Sequence, residues 1–192
     1  MITIKIAPNN IKGFLSIFVE DEFWKKIPTA VFGRKISFTK SYINIAEFED
    51  DFHEIEKRAA LNYALKILGQ RDLPSAQIAL KLEQKDISEK AVLHALDKIN
   101  SYNYIDDGNW VRKYIQYELG KSHGPLLIKN KLLQKKISID LIKEGLSKIS
   151  EEELSCSIKK IIAKDKYKDR NKLIQALIRR GFQYENISRL ID

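Results

Sequence analysis

The sequence predicts a mainly α-helical protein: three tandem three-helix repeats forming an elongated curved array, preceded by a short N-terminal β-hairpin extension. Residues 78–99 and 128–149 align at a constant offset of 50 without a gap, and ten of the 22 pairs are identical. A weaker third copy follows at an offset of 45, which places Phe182 on Ile137. Such tandem copies are typical of helical repeat proteins. Glycine and proline are scarce, at 8 and 4 of 192 residues, which disfavours turn-rich all-β folds.

The N-terminal extension, residues 1–52, differs in kind from the repeats. Two segments alternate apolar and polar residues: Ile2, Ile4 and Ile6 in the first, and Leu15, Ile17 and Val19 in the second. A proline and two asparagines at positions 8–10 supply a turn signal between them, so we predict a β-hairpin. We expect a short helical turn over residues 27–32, and the acid-rich residues 47–51 lead into the first repeat. Because an isolated hairpin is marginally stable, the extension should pack on the repeats or on a partner.

The first repeat, residues 53–102, contains three helical patterns. Apolar residues recur at helical spacing over residues 54–68, and Gly69 supplies a stop. Ser75 opens a second, shorter helix, and Ser88 is placed to cap a third. The repeat is therefore expected to be an all-helical unit.

The second and third repeats, residues 103–149 and 150–192, follow the same plan. Ser138 is the expected cap of the last helix in the second repeat, and Ser150 with Glu153 forms a capping-box pattern. The residues expected to face inward include Trp110, Val111, Tyr114 and Ile115 in the second repeat, and Leu177, Ile178 and Ile187 in the third. A three-helix unit of this size buries little apolar surface alone, so stacking on a neighbour should supply its stability.

The net charge of +8 is concentrated in the second half of the chain. Residues 1–120 hold 17 Lys or Arg and 17 Asp or Glu, whereas residues 121–192 hold 17 against 9. An excess of basic residues that is confined to one part of a chain indicates a polyanionic partner, most often nucleic acid.

The sequence lacks a recognisable catalytic, cofactor-binding or metal-binding pattern. The histidines, His53, His94 and His123, have no second His or Cys at a metal-ligand spacing. Gly120 and Gly124 flank Lys121, but the rest of a phosphate-binding loop is missing. Asp106 and Asp107 could form a general acid/base pair, yet their position at the start of a helix favours capping. We therefore predict that the protein is not an enzyme and that it uses no cofactor or metal.

Cysteine usage and the absence of a long apolar run predict a cytoplasmic protein. Cys156 is the only cysteine, which excludes an internal disulfide, and it is expected to be a small buried hydrophobe. No run approaches the roughly 18 apolar residues needed to cross a bilayer, and residues 1–20 lack a basic segment followed by an apolar one.

Basic residues carry the remaining functional signal. Residues 121–136 contain no acid, and residues 159–180 hold nine basic residues against two acids. Either these side chains form a solvated helix face, or they contact phosphates or a partner's carboxylates. The aromatic residues among them, Tyr167 and Tyr184, are too few to predict base stacking. The candidate contact residues are Lys121, Lys129, Lys131, Lys135, Lys136, Lys168, Arg170, Lys172, Arg179 and Arg180.

Several short strings resemble the RecX family of recombination regulators over residues 54–192. They are Tyr104-Ile105-Asp106-Asp107, Gly124-Pro125 leading into Leu132-Leu133-Gln134-Lys135-Lys136-Ile137, and Arg179-Arg180-Gly181-Phe182. Asn103, Lys136 and Asp86 stand where that family often has glycine. The residues from Ile17 to Phe23 also resemble the extension of many Gram-positive members. Order and spacing on a three-helix repeat make the combination specific.

The resemblance implies a non-enzymatic regulator that binds RecA and its filament on DNA and inhibits filament extension, ATP turnover and strand exchange, as in SOS and recombination control. The expected partners are RecA and single- or double-stranded DNA, and the protein is expected to be a monomer. Two hypotheses remain open for the basic half. In one, its lysines meet RecA carboxylates; in the other, the protein is a DNA-binding module that acts independently of a recombinase.

Overall fold

The structure is a computed structural model that describes residues 1–38, 40–163 and 169–191. Within these residues, a three-stranded antiparallel sheet near the N-terminus is followed by α-helices, which confirms the predicted fold class. The chain divides into two compact units, Met1–Ile105 and Asp106–Asp192. The sheet and the first three long helices belong to the first unit, and the remaining helices belong to the second.

The sheet has one strand more than the predicted hairpin. Strands β1 (Ile4–Pro8), β2 (Phe14–Val19) and β3 (Glu22–Pro28) pair in the order β1-β2-β3. The turn between β2 and β3 is formed by Glu20 and Asp21, both with positive φ, at 51° and 64°. Such hairpin turns usually contain Asn-Gly or Asp-Gly; because this turn contains neither, no sequence signal predicts β3.

Helix α2 (Ile45–Leu68) starts nine residues before the predicted position, after the short α1 (Thr29–Phe32). The side chain of Asn44 caps it by accepting a hydrogen bond from the backbone N–H of Glu47. The acid-rich segment expected to lead into the helix therefore forms its first turns. The boundary predicted between residues 52 and 53 falls inside α2.

The two ends of α2 belong to two different apolar clusters. Near its start, Phe48 and Phe52 are buried under the sheet, with ring centroids 4.9 Å from that of Trp24 in each case. Near its end, Ala60 and Ala64 are buried in the cluster formed with the next two helices. One helix therefore joins the sheet to the first helical repeat.

A buried carboxylate reinforces this connection. Glu56, in the middle of α2, accepts hydrogen bonds from Lys25 Nζ on β3 at 3.2 Å and from Ser88 Oγ at 2.5 Å. Its side chain is 1% exposed, so these partners compensate for the loss of hydration. Ser88 also caps the helix that follows it, as predicted.

The remaining helices start and end close to the predicted positions. They are α3 (Ser75–Glu83), α4 (Glu89–Ser101), α5 (Asp107–Gly120), α6 (Pro125–Gln134), α7 (Ile139–Ser147), α8 (Glu151–Ile162), α9 (Arg170–Arg179) and α10 (Tyr184–Ile191). The predicted cap Ser138 and the capping box of Ser150 and Glu153 are both formed. Among the helices described, none combines the length and the apolar character that a bilayer crossing requires.

Equivalent positions of the repeats are buried in the same way. Leu82, Leu132 and Leu177 are fully buried, and Phe182 is 1% exposed at the position of Ile137. One predicted core residue is wrong: Ile178 is half exposed. Its equivalent at the offset of 45, Leu133, is also exposed, so the repeat register predicts the outward position better than the local apolar run does.

Among the described residues, five helices end in the same left-handed turn. A residue two positions after the end of the helix, or three after α3, has a positive φ. The N–H of the residue that follows it donates to the carbonyl five residues back, as in Ile137 to Leu132 at 3.2 Å. The residues in the left-handed conformation are Asp86, Asn103, Ser122, Lys136 and Gly181. The positions at which the sequence departs from the expected glycine thus keep the backbone conformation that glycine would supply.

In the second unit, the end of α9 contacts the start of α6. The backbone N–H of Gly124 donates to the carbonyl of Arg180 at 2.7 Å, and that of Leu126 donates to the carbonyl of Gly181 at 3.1 Å. A Cβ on Gly124 would collide with the backbone of Gly181, and a Cβ on Gly181 with that of Leu127. Both glycines are therefore required by a close approach of two chain segments.

Candidate interaction surface

The basic candidates fall into three groups by exposure. Those with exposed side chains are Lys121, Lys136, Arg170, Lys172, Arg179 and Arg180, and those with half-buried side chains are Lys129, Lys131 and Lys135. Lys168 lies outside the described residues. All nine described candidates belong to the second unit. The exposed ones on α9 and after α6 lie at the surface of the second unit.

Lys131, one of the candidate contact residues, forms an ion pair within the second unit. Its ammonium group contacts the carboxylate of Glu118, whose side chain is 4% exposed. His123 Nδ1 lies 2.7 Å from the same carboxylate oxygen and 3.0 Å from Lys131 Nζ. Of the two alternatives left open for the basic residues, neither describes this contact, because Lys131 is paired with a buried carboxylate on the preceding helix.

This cluster determines the ionisation of Glu118. Burial alone raises the pKa of the Glu118 carboxyl, but the hydrogen bonds from Lys131 and His123 outweigh burial, and the net pKa lies below its ordinary value. Glu118 therefore stays ionised at neutral pH. The sequence signal for this pair was weak, since Glu118 and Lys131 lie 13 residues apart on different helices.

Arg180, a candidate partner-contacting residue, also holds together two segments of the second unit. Its carbonyl accepts the hydrogen bond from Gly124, and its guanidinium Nη1 lies 3.5 Å from the carbonyl oxygen of Ser122. The side chain is nevertheless exposed. Arg179, one residue earlier, is also exposed and ends α9, where a cation complements the helix dipole.

Two of the candidate lysines lie over aromatic rings of α5. Lys121 Nζ is 3.8 Å from the ring centroid of Tyr117, and Lys135 Nζ is 5.4 Å from that of Tyr114. Tyr114 in turn stacks on Trp110, with centroids 5.1 Å apart and planes 12° from parallel. We call these five residues, Trp110, Tyr114, Tyr117, Lys121 and Lys135, the α5 aromatic face.

The prediction that Trp110 and Tyr114 face the core is only partly right. Val111 and Ile115 are buried, whereas Trp110 and Tyr114 are half-buried and Tyr117 is 59% exposed. Burial, followed by the nearby carboxylate of Glu118, raises the pKa of the Tyr114 hydroxyl. Hydrogen bonding to Tyr117 raises the pKa of Lys121. The spacing of residues 110, 114, 117 and 121 on one side of a helix was the available signal.

The other sequence candidates have structural explanations or stay untested. Asp106 is the N-cap of α5 and accepts from the backbone N–H of Asn109 at 2.9 Å, as the capping interpretation predicted. Cys156 is exposed on α8, so the prediction of a buried cysteine is wrong. Tyr184 is exposed on α10, and Tyr167 lies outside the described residues. Across residues 1–38, 40–163 and 169–191, no group of three or more His, Cys, Asp or Glu side chains is arranged to hold a metal ion.

Comparison with known proteins connects these features to a family. Residues 158–191 match the model of the third three-helix domain of RecX. A "Regulatory protein RecX" of Streptococcus agalactiae serotype V is 30% identical over 155 residues, covering 74% of this chain and 60% of the relative. One of Lactobacillus johnsonii is 27% identical over 205 residues, covering all of this chain and 74% of the relative.

Solved structures agree on the fold. A crystal structure of a regulatory protein RecX aligns over 99% of this chain and 98% of its own with a TM-score of 0.66 and 20% identity. RecX from Lactobacillus salivarius aligns over 71% of this chain and 94% of its own with a TM-score of 0.64 and 22% identity. The chain spans about 60% of the length of the streptococcal relatives that it matches. Together with the motifs at Gly124 and at Arg179 to Phe182, these matches show that the chain is similar in sequence and in fold to regulatory proteins named RecX.

Proposed function

We propose that this protein binds the RecA recombinase and its filament on DNA and restrains filament extension, ATP turnover and strand exchange. Similarity to proteins named regulatory protein RecX supports a regulatory role. The proposal treats the protein as a monomer without catalytic activity of its own. Its action then depends on binding, and the basic surface of the second unit is the binding surface.

The observation that carries the proposal is the set of exposed basic side chains in the second unit. Lys136 follows α6, while Lys172 and Arg179 lie on the first and last turns of α9, and all three are exposed. Charged side chains of this kind contribute little to folding and are free to meet a partner's carboxylates or phosphates. Lys131 does not belong to this set, because its ammonium group forms an ion pair with Glu118.

The test is a RecA ATPase assay on single-stranded DNA with three proteins. The first is the wild type, and the second is Lys136→Glu/Lys172→Glu/Arg179→Glu. The third, Lys12→Glu/Lys35→Glu/Lys66→Glu, makes the same charge change at exposed positions of the first unit. We expect the wild type and the first-unit variant to inhibit ATP turnover, and the second-unit variant to lose most inhibition while keeping its melting temperature.

The amount of protein required separates the two hypotheses for the basic half. A regulator that binds RecA inhibits at concentrations too low to cover the DNA, whereas a module that competes for DNA inhibits only near full coverage. Inhibition that appears only near coverage, or a second-unit variant that inhibits like the wild type, would contradict the proposal.

A further inference from the structure

The α5 aromatic face combines flat rings with positive charge on one side of one helix. Trp110 and Tyr114 are stacked, Tyr117 is exposed two turns further along the chain from Trp110, and Lys121 and Lys135 hold ammonium groups over two of the rings. Eleven residues separate Trp110 from Lys121, a rise of about 16 Å along a helix. The face is therefore long enough to lie along several nucleotides of an extended single strand.

The buried acid on this helix is paired with a lysine outside the face. Glu118 contacts the ammonium group of Lys131, which is not one of the five residues. Aromatic residues of a small helical protein are ordinarily buried, yet here Val111 and Ile115 are the buried residues, Trp110 and Tyr114 are only half-buried, and Tyr117 is exposed. Aromatic surface that the core does not use, next to lysines, is the combination with which proteins bind single strands.

We propose that the α5 aromatic face binds single-stranded nucleic acid, with Tyr117 and the Trp110–Tyr114 stack contacting base faces and Lys121 and Lys135 contacting phosphates. A duplex fits this surface less well, because its bases are stacked on one another and present only their edges. An acidic protein surface would satisfy the lysines but would leave the exposed ring of Tyr117 without a flat apolar counterpart. Charge and shape complementarity together therefore favour a strand with unstacked bases.

This inference does not rest on the RecA proposal. Its test contains no recombinase, so failure of either proposal leaves the other intact. The measurement is fluorescence anisotropy of three labelled 15-mers at low salt: oligo(dT), oligo(rU) and an abasic strand that keeps the phosphates and lacks the bases. Because stacking on a base is worth about 1–3 kcal/mol, we expect the strands with bases to bind about 5- to 150-fold more tightly than the abasic strand.

Matched variants locate the effect on α5. Tyr117→Ala should reduce the preference for bases several-fold, and Tyr117→Phe, which keeps the ring, should retain it. Tyr184→Ala removes a tyrosine of equal exposure, 60%, from α10 of the same unit and should bind like the wild type. Since Tyr117 is largely exposed, each variant should fold, which circular dichroism verifies.

Preferential binding of either oligo(dT) or oligo(rU), lost in Tyr117→Ala alone, supports the proposal. Equal affinity for the abasic strand overturns it, because phosphates then account for all binding. An unaltered preference in Tyr117→Ala also overturns it. Loss of RecA inhibition in Tyr117→Ala without any change in oligonucleotide binding would instead show that the face contacts protein.

Discussion

The backbone nitrogen of Gly124 lies 2.7 Å from the carbonyl oxygen of Arg180, so the residue before α6 is bonded to the residue after α9. This bond joins the Gly-Pro string to the Arg-Arg-Gly-Phe string. The first opens α6 and the second closes α9, and the two meet at a distance that only glycine allows.

Replacement of Gly181 by alanine should lower the free energy of unfolding by more than about 2 kcal/mol. The residue has a φ of 88°, and a Cβ would also collide with the backbone of Leu127. Gly120→Ala is the matched control, because a Cβ there meets no atom within 4 Å and alanine favours the helix. Urea unfolding of both variants measures the difference. A Gly181→Ala protein as stable as Gly120→Ala would contradict the close approach.

Phe182→Ala should lower the free energy of unfolding by about 3–5 kcal/mol, because the ring is 1% exposed among Ile158, Leu177 and Ile187. The control is Tyr184→Ala, two residues later, where an exposed ring is removed and stability should change by less than about 0.5 kcal/mol. Thermal unfolding checks both, and equal melting temperatures for the two variants would exclude a packing role for Phe182.

The Glu118 cluster should make stability depend on pH in the acid range. The pKa of Glu118 is lower in the folded chain than in the unfolded one, so the unfolded chain binds more protons between the two values. The stabilisation is complete above the ordinary carboxyl pKa of about 4.3 and is lost as the pH falls through the folded value.

Glu118→Gln measures this contribution. The difference in unfolding free energy between wild type and Glu118→Gln should shrink as the pH is lowered from about 6 to 3. Glu185→Gln removes an exposed carboxyl from the same unit and controls for net charge. A difference that stays constant with pH would show that the cluster does not stabilise the charged form of Glu118.

Lys136→Gly should raise the free energy of unfolding by about 0.5–1 kcal/mol. Lys136 has a φ of 62° in the turn after α6, a conformation that costs a residue with a Cβ and that glycine adopts freely. Lys136→Ala separates backbone from side chain, because it removes the charge and keeps the strain. Equal stability of the glycine and alanine variants in urea would disprove the backbone explanation.

Core positions of the helical repeats could be predicted because apolar residues recur at equivalent positions of successive repeats. Leu82, Leu132 and Leu177 occupy one structural position, and their spacing alone identified it. The third strand could not be predicted, because Glu20 and Asp21 form a left-handed turn without glycine or asparagine. The start of α2 was missed for a related reason: Phe48 and Phe52 contact the sheet, and a local apolar pattern cannot reveal which distant surface covers a ring.

The candidate surface was harder to predict than the fold. Charge counting located the basic half, but it could not separate Lys131, which Glu118 neutralises, from the exposed Lys136. It also missed the α5 aromatic face, because Trp110 and Tyr114 adjoin the buried Val111 and Ile115 and share their helical pattern. Pairing between different helices depends on tertiary packing, which periodicity does not encode.

The helix shared by the sheet and the first repeat has a mechanical consequence. At 24 residues, α2 is about 36 Å long. Near one end, Phe48 and Phe52 pack under the sheet, and near the other end Ala60 and Ala64 pack against helices. A force applied to the sheet is transmitted along α2. At the middle of this helix, Glu56 forms hydrogen bonds with Lys25 of the sheet and with Ser88, the cap of α4. In a pulling experiment from the N-terminus, the sheet and α2 to α4 should therefore yield in a single step.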